Sequence, residues 1–381
     1  MKGLIKKHKW IRVAGILFVI LLLLLLAALL FLKLWPAFGG KASAEDRQDY
    51  EERAGNYHDG RFYNDGDFRI VRETEQTDEH IMSSKGTKPE DELPVAEPSY
   101  DEELPEDEVR VTWFGHSSLL LQMHGMNILI DPVFSERSSP VSFVGNQRFS
   151  HPPIEVGDLP AIDLLVLSHD HYDHLDYNVI KEIDGKVGQY IVPLGVENHL
   201  ERWGVDEKKI RNMAWWEETT VGGLTVGCTP ARHYSGRSLD DQFATLWASW
   251  VFQDEYHKVF ESGDSGYGGQ YEKIHDKYGD FDFVMTDCAQ YDMNWPEVHM
   301  FPEEAVQAAQ SLGAKAAMPI HWGAFALANH PWDDSVERFV AAGEQAGLQI
   351  VTPQIVTPQI GETMNLNLME SSMERWWKDI L

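Results

Sequence analysis

Hydrophobic and polar positions divide the chain into three stretches of different character. Val13 to Leu32 is an uncharged, apolar run, and Glu45 to Glu108 is acidic and poor in large aliphatic residues. From Val109 onward, short apolar runs alternate with turn and helical patterns. Val109 to Trp113, Leu119 to Met123 and Asn127 to Ile130 read as strands, with Gly115-His116-Ser117-Ser118 and His124-Gly125 as the turns between them. Ile162 to Leu167, Tyr190 to Val192, Leu224 to Cys228, Lys258 to Glu261, Phe281 to Met285 and Ala316 to Pro319 are further strands. Tyr177 to Ile183, Gly195 to Trp203, Pro302 to Leu312 and Trp332 to Ala346 are predicted helices. Strands alternating with helices imply an α/β fold, a sheet covered by helices.

The first run is long enough to span the hydrocarbon core of a bilayer as a helix. Its unbroken leucines leave no polar face, which argues against a buried core helix. Lys2, Lys6, Lys7, Lys9 and Arg12 precede it and acidic residues follow, so the positive-inside rule places the amino terminus in the cytoplasm and the remainder outside. The expected organisation is a basic cytoplasmic segment over 1–12, a transmembrane signal anchor over 13–35, an acidic stalk or lead-in over 36–108, one folded domain over 109–368 and a terminal helix over 369–381. Ala42-Ser43-Ala44 matches a small-residue cleavage site, but the length of the apolar run favours an uncleaved anchor. Within the loosely packed lead-in, Tyr57 to Asn64 carries three aromatics and is expected to dock on the domain. The adjacent Trp376 and Trp377 are expected to pack on the domain, the alternative being a membrane interface. Val351 to Ile360 repeats Val-Thr-Pro-Gln-Ile twice, a local duplication that lengthens a loop.

A length of 381 residues with 43% hydrophobic content allows one large domain or two ordinary ones. The net charge of −29 argues against a nucleic-acid partner and against electrostatic adhesion to anionic lipid. Cys228 and Cys288 are too few for a disulfide framework and lack zinc-ligand spacing, so they are expected as small buried residues.

Candidate chemistry is densest in Ser168-His169-Asp170-His171-Tyr172-Asp173-His174-Leu175-Asp176, directly after an apolar strand. Imidazole nitrogen and carboxylate oxygen are ligands for a borderline cation such as Zn²⁺. Alternate residues in such a loop point at one place, so His169 and His171 can share one metal while Asp173 and His174 reach a second. The bland alternative is a polar loop in which Asp173 or Asp176 caps the next helix. Other strands also end on candidate ligands: His233, Asp264 and His321. Strand ends on one edge of a sheet converge, which is where α/β proteins build sites. Asp131 closes the strand ending at Ile130 and is a candidate support for a ligand imidazole, as is His116; a hydrogen-bonded turn is the alternative for both. Asp287 to His299 follows the strand Phe281 to Met285, which makes Gln290, Tyr291 and His299 candidate substrate contacts, with loop packing as the alternative.

The order His169-x-His171-x-Asp173-His174, then His233, Asp264 and His321, resembles that of the metallo-β-lactamase superfamily of binuclear hydrolases. Gly115 to Ser118, Ile130 to Phe134, His169 to Asp176, Trp215-Trp216-Glu217, Gly263 to Tyr267 and Ile320 to Ala328 look like the N-acyl-phosphatidylethanolamine phospholipase D family and its bacterial members. The likeness covers about 56–361 and leaves out the apolar run, and the stretch 287–299 departs from the animal pattern. The resemblance implies an αβ/βα four-layer sandwich and two Zn²⁺ ions. It implies His169, His171 and His233 on one ion, Asp173, His174 and His321 on the other, and Asp264 bridging both, with Asp131 and Asp176 orienting ligand imidazoles and the family's position supporting His299 as a substrate contact. Metal-bound hydroxide would then cleave a phosphodiester, with a phospholipid such as N-acyl-phosphatidylethanolamine as substrate. The same metal pair also serves lactones and other small esters, and a metal-binding envelope protein without activity is the non-enzymatic alternative.

Overall fold

The computed structural model describes residues 2–71, 85–100, 104–346, 354–367 and 375–380. In chain order its elements begin with α1 (Lys2–Leu34), α2 (Ala44–Arg53), β1 (Tyr57–His58), β2 (Arg61–Phe62), β3 (Val109–Trp113), β4 (Leu119–Met123), β5 (Met126–Ile130), β6 (Arg137–Ser138), β7 (Asn146–Gln147) and β8 (Ile162–Val166). They continue with α3 (Tyr177–Ile183), β9 (Val187–Pro193), α4 (Glu197–Arg202), β10 (Ile210–Met213), β11 (Glu218–Val221), β12 (Leu224–Thr229), β13 (Ser249–Gln253), β14 (Lys258–Glu261) and α5 (Gln270–Tyr278). The last are β15 (Phe283–Asp287), α6 (Pro302–Ser311), β16 (Ala316–Ile320), α7 (Asp334–Ala346), β17 (Gln354–Ile355) and β18 (Thr363–Asn365).

Two seven-stranded sheets form, in the orders β10-β9-β8-β5-β4-β3-β18 and β11-β12-β13-β14-β15-β16-β17. Each opens with antiparallel strands and continues with parallel ones, and in the second sheet a long segment carrying His233 joins β12 to β13. A parallel step needs a crossover, which is why α3 and α5 to α7 lie between those strands. In the first sheet, near-continuous apolar runs serve two cores at once. Leu119, Leu121, Ile128, Ile130, Leu164 and Val166 face the second sheet with Trp250, Phe252 and Val259. Leu120, Leu129, Leu165 and Leu167 face the other way, onto Val179, Ile180, Ile183, Leu200 and Trp203 of the α3–α4 side. The period of two across a strand makes this division, and a slip of one residue would exchange the two cores. On the second sheet Ile274, Val306, Ala309, Val336 and Phe339 bring α5, α6 and α7 against the outer face. The result is a mixed α/β sandwich of four layers.

Part of the lead-in is folded against this sandwich, contrary to the expected loose packing. Ser43 and Asp46 form a capping box that starts α2. Tyr50, Ala54, Tyr57 and Phe62 are buried with Leu194, Ala214, Leu246 and Trp247. Arg53 donates to Glu217 at 3.1 and 2.7 Å and to the Asn212 carbonyl at 2.9 Å. Composition misleads here because α2 is polar on its solvent face and buries only Tyr50. Ahead of it, Trp203 Nε1 donates to the Pro36 carbonyl at 2.7 Å and Arg237 Nε to the Ala37 carbonyl at 3.0 Å. A Cβ on Gly39, whose φ is 74°, would lie 2.0 Å from His199 Nδ1, so only glycine fits there.

At the other end, the expected terminal helix lies partly at 368–374 and 381, outside the described residues, and Trp376–Asp379 is a 3₁₀ turn. Trp376 and Trp377 are buried against Trp322, with ring centroids 5.5 and 5.8 Å away, so neither is free for a membrane interface. The repeated segment is also more than a loop. Residues 351–353 lie outside the described residues, but Gln354 and Ile355 pair with Ala316 and Ala317, and Val356 and Ile360 are buried.

Phe62→Ala empties a fully buried aromatic site in the lead-in cluster. It is expected to lower the unfolding free energy by about 3–5 kcal/mol in denaturant titrations of the detergent-solubilised chain. A change under about 0.5 kcal/mol, as at an ordinary surface site, would contradict the packing described.

Candidate metal centre

The ends of strands from both sheets converge on one buried cluster. Asp131 follows β5, His169 to His174 follow β8, His233 follows β12, Asp264 follows β14, Asp287 ends β15 and His321 follows β16. The cluster unites seven histidines and three aspartates, His116, His169, His171, His174, His233, His299 and His321 with Asp173, Asp264 and Asp287. Backbone geometry aims several of them. His116, Asp131 and His321 have φ of 56°, 41° and 71°, the left-handed region, which polar residues enter at a strain that the surrounding packing must hold. The His116 and His321 turns clasp each other, His321 N–H donating to the His116 carbonyl at 3.0 Å and His116 N–H to the Trp322 carbonyl at 2.8 Å.

Two groups share Asp264. In the first, His169 Nε2 and His233 Nε2 lie 2.9 and 3.2 Å from His171 Nδ1. Their outer nitrogens are already engaged, His169 Nδ1 with Ser168 Oγ at 2.9 Å and His233 Nδ1 with the Val298 carbonyl at 3.0 Å. Asp264 Oδ2 is 3.7 Å from both inner nitrogens. In the second group, Asp264 Oδ1 is 3.0 Å from His174 Nε2 and 3.2 Å from His321 Nδ1, and Asp173 Oδ2 is 3.8 Å from His174 Nε2. His174 Nδ1 meets Asp131 Oδ2 at 2.7 Å, and Asp131 also accepts from Ser168 N–H. His116 Nε2 lies 3.0 Å from Asp173 Oδ2. His174 Nε2, His321 Nε2, His116 Nδ1 and Asp264 Oδ1 are buried without a hydrogen-bond partner. Inward-facing lone pairs and orphaned polar atoms at this depth fit a bound cation, which gives each an electrostatic partner.

The charges of the site follow from burial and neighbours. Burial, aided by mutual repulsion, holds His169, His233 and His321 well below the ordinary imidazole range. Burial also takes His171 to about 4, against the pull of Asp170 and Asp173. These rings are neutral at pH 7, as ligands must be. Burial opposes charge on His174 as well, but Asp264, Asp131 and Asp173 outweigh it and raise that imidazole well above its usual value. The Asp264 carboxyl is pushed up to about 6, chiefly by burial and against His174.

The structure sorts the sequence-based candidates. His169, His171, Asp173, His174, His233, Asp264 and His321 come together, and His116 and Asp131 support them from behind. Asp176 does not orient an imidazole. It caps α3 through the Asn178 and Val179 N–H groups and accepts from Phe134 and Ser135 N–H. Gln290 lines the cavity over the cluster, and its amide is held there, donating to the His321 and Phe325 carbonyls and accepting from Leu327 and Ala328 N–H. Tyr291 is fully buried, stacked on His330 at 4.2 Å with its hydroxyl on Asp334, and faces no substrate space. His299 lines the cavity over the cluster, about 330 Å³, along with His171, Asp173, Asp264, Ser138 and Asn146.

Sequence reasoning missed the braces. Asp287 Oδ2 lies 2.9 Å from His299 Nδ1. Asp170, between two clustered histidines, accepts from Gly236 N–H at 2.8 Å and Thr245 Oγ1 at 2.9 Å and lies 3.2 Å from His199 Nε2. Arg237 donates to the Asp170 and Leu175 carbonyls, tying the loop shut. Asp287 stands at a strand end as Asp131 does, which was a usable signal; the partners of Asp170 are remote in sequence and gave none.

Comparisons with known proteins agree with this picture. The family model of the beta-lactamase superfamily domain matches residues 126–322. An uncharacterized protein of Mycobacterium tuberculosis is 39% identical over 322 residues, 82% of this chain and 86% of that one. An N-acyl-phosphatidylethanolamine-hydrolyzing phospholipase D of Caenorhabditis elegans is 32% identical over 270 residues, 68% of this chain and 75% of that one. A metallo hydrolase of Ignicoccus hospitalis shares the fold, with a TM-score of 0.52 at 18% identity over 68% of this chain and 98% of that one. Fold and site together define a metal-dependent hydrolase fold. The chain belongs to the metallo-β-lactamase superfamily, and within it resembles the N-acyl-phosphatidylethanolamine-hydrolyzing phospholipases D.

Two outcomes test the centre. Asp131→Asn removes the charge behind His174 and is expected to weaken metal affinity by about 10–100-fold in chelator competition; unchanged affinity would deny the brace. A cation must also displace the proton of Asp264, held up to about pH 6, and that of His174. Affinity is therefore lower in acid: between pH 6 and 5 it is expected to fall at least about tenfold, one proton per metal giving tenfold per pH unit. A flat profile across that range would show that neither group is protonated in the metal-free site.

Proposed function

We propose that the chain is a membrane-anchored, two-zinc phosphodiesterase of phospholipase D type, acting on a phospholipid such as N-acyl-phosphatidylethanolamine. The carrying observation is the division of Asp264 between two groups of inward-facing ligands. His169, His171 and His233 would hold one ion, Asp173, His174 and His321 the other, and Asp264 would bridge. Such a pair supplies a water activated as hydroxide near neutral pH and charge neutralisation at a phosphoryl oxygen. The likeness to a phospholipase D supports the substrate class, and α1, with a 25-residue apolar span Trp10–Leu34, supports an anchor. The basic residues before the span and the acidic ones after it support a cytoplasmic amino terminus with the site on the other side.

The chain's own residues complete the chemistry. His299 lines the cavity and is held by Asp287. Burial opposes its charge, but the Asp287 carboxylate and its hydrogen bond prevail and raise the imidazole above its usual value. Facing the cavity, it is placed to give a proton to a departing alkoxide. A cavity of 330 Å³ accepts a phosphodiester head while leaving long acyl chains outside.

The test uses the full chain in detergent with zinc restored, because the segment after α1 is part of the packed structure. N-acyl-phosphatidylethanolamine, bis(p-nitrophenyl) phosphate and an acyl lactone are compared, with Asp264→Asn as control. Cleavage of both phosphodiesters, lost in the control, is the expected result. His299→Ala should slow lipid cleavage by about 10²–10⁴-fold and affect the nitrophenyl ester far less, since nitrophenolate leaves without a proton. Equal losses on both substrates would remove His299 from the acid role. Lactone turnover with inert phosphodiesters would make the chain an ester hydrolase, and zinc binding without turnover would make it a metal-binding envelope protein.

A further inference from the structure

Outside α1, the most exposed large hydrophobic side chains among the described residues are Leu239 at 85% and Phe143 at 78%, and Val144 beside Phe143 is 58% exposed. Phe143 and Val144 sit at the tip of the β6–β7 hairpin, whose strands pair Arg137 with Gln147 and Ser138 with Asn146. The strand pair next to the tip belongs to the catalytic cavity, since Ser138 and Asn146 line it. Its flank touches the end of the apolar span: Trp35, the residue after α1, donates its indole N–H to the Pro140 carbonyl at 2.6 Å. Two carbonyls of the tip are paired within the hairpin. Arg137 donates to the Ser142 carbonyl at 3.0 Å and the Gly145 carbonyl at 2.7 Å, leaving the two apolar side chains outermost. Leu239 stands on a neighbouring loop held by Lys41 through Asp240 at 2.7 Å, and Arg237 of that loop lines the same 450 Å³ cavity as Trp35 and Pro140.

We infer that the β6–β7 hairpin tip, flanked by Trp35 and Leu239, inserts into the bilayer surface and seats the mouth of the metal centre on the membrane. Continuity with α1 carries the inference. A span that ends at Leu34 delivers Trp35 to the membrane interface, where indoles are favoured. The hairpin bonded to that indole is then at the same depth, with two apolar side chains and internally paired carbonyls to meet the lipid. With a net charge of −29, attraction to anionic headgroups cannot draw the domain down, so apolar contact must. This rests on α1 being embedded, and it adds to the proposed function a route by which a lipid head reaches the cavity without leaving the membrane.

The test is spin labelling of the full chain in phospholipid nanodiscs. Cys228 and Cys288 are both buried, so a single introduced cysteine takes the label. Three variants are compared: Phe143→Cys at the tip, Leu24→Cys within α1, and Tyr256→Cys in the β13–β14 turn, which lies at the opposite end of β14 from Asp264. Relaxation by oxygen, which partitions into lipid, is set against relaxation by a water-soluble nickel chelate. The expected result is a shift toward oxygen at 143 and 24 and toward nickel at 256. An embedded label at 24 with a water-exposed label at 143 would overturn the insertion alone. A label at 143 shielded from both reagents would mark a protein contact and overturn it equally. Nickel access at 24 would overturn the anchor and the insertion with it, while leaving the hydrolase reading intact.

Discussion

His169 Nε2 and His233 Nε2 crowd His171 Nδ1 at 2.9 and 3.2 Å while the other nitrogens of His169 and His233 are already engaged, so these inner nitrogens cannot all be satisfied by hydrogen bonds. That constraint organises the rest of the structure. Seven imidazoles and their carboxylates are gathered where water is scarce, and their charges must balance in place. Without a cation, the proton on His174 offsets the carboxylates around it. With one, the same lone pairs become a coordination shell. Serines, a carbonyl and Asp131 stand behind the rings, and left-handed backbone at His116, Asp131 and His321 aims the turns.

Assembling such a site requires chain segments far apart in sequence to end at one place, and the paired sheets do this. Each contributes strands that stop at the same edge, so His169 and His321 both pack on His174 although 152 positions separate them. The rigidity comes from cores on both faces of the first sheet, fed by alternate residues of the same strands. Arg237 then ties the metal loop to the segment leaving α1, so the apolar helix and the metal centre share one clasp.

Much of this was legible in the sequence because it rests on local signals. Apolar runs of strand length gave most of β3 to β16, the His-x-His-x-Asp-His spacing gave the loop, and strand ends on His or Asp gave its distant partners. The illegible part depends on which way a side chain turns. Asp176 follows the metal loop closely enough to be taken for a support, yet the helix starting at Tyr177 claims it. Gln290 and Tyr291 are neighbours on the right rim, but only Gln290 reaches the cavity, while Tyr291 points into the α7 side. The lead-in looked loose because its composition averages a solvated face with a few buried aromatics.

The duplicated pentapeptide gives the second sheet an ambiguous edge. Gln354 and Ile355 close the first copy and pair with β16; Gln359 and Ile360 close the second. A shift of the chain by five residues would offer the edge the same two side chains, so the strand itself does not encode which copy belongs there. The contacts of the second copy make the choice. Ile360 bridges to Val95, and the Gly361 N–H donates to the Trp113 carbonyl at 2.6 Å, which fixes β18 on the opposite sheet. The two sheets are thus kept in phase by a short tether across their seam, and that phase is what holds the strand ends opposite one another.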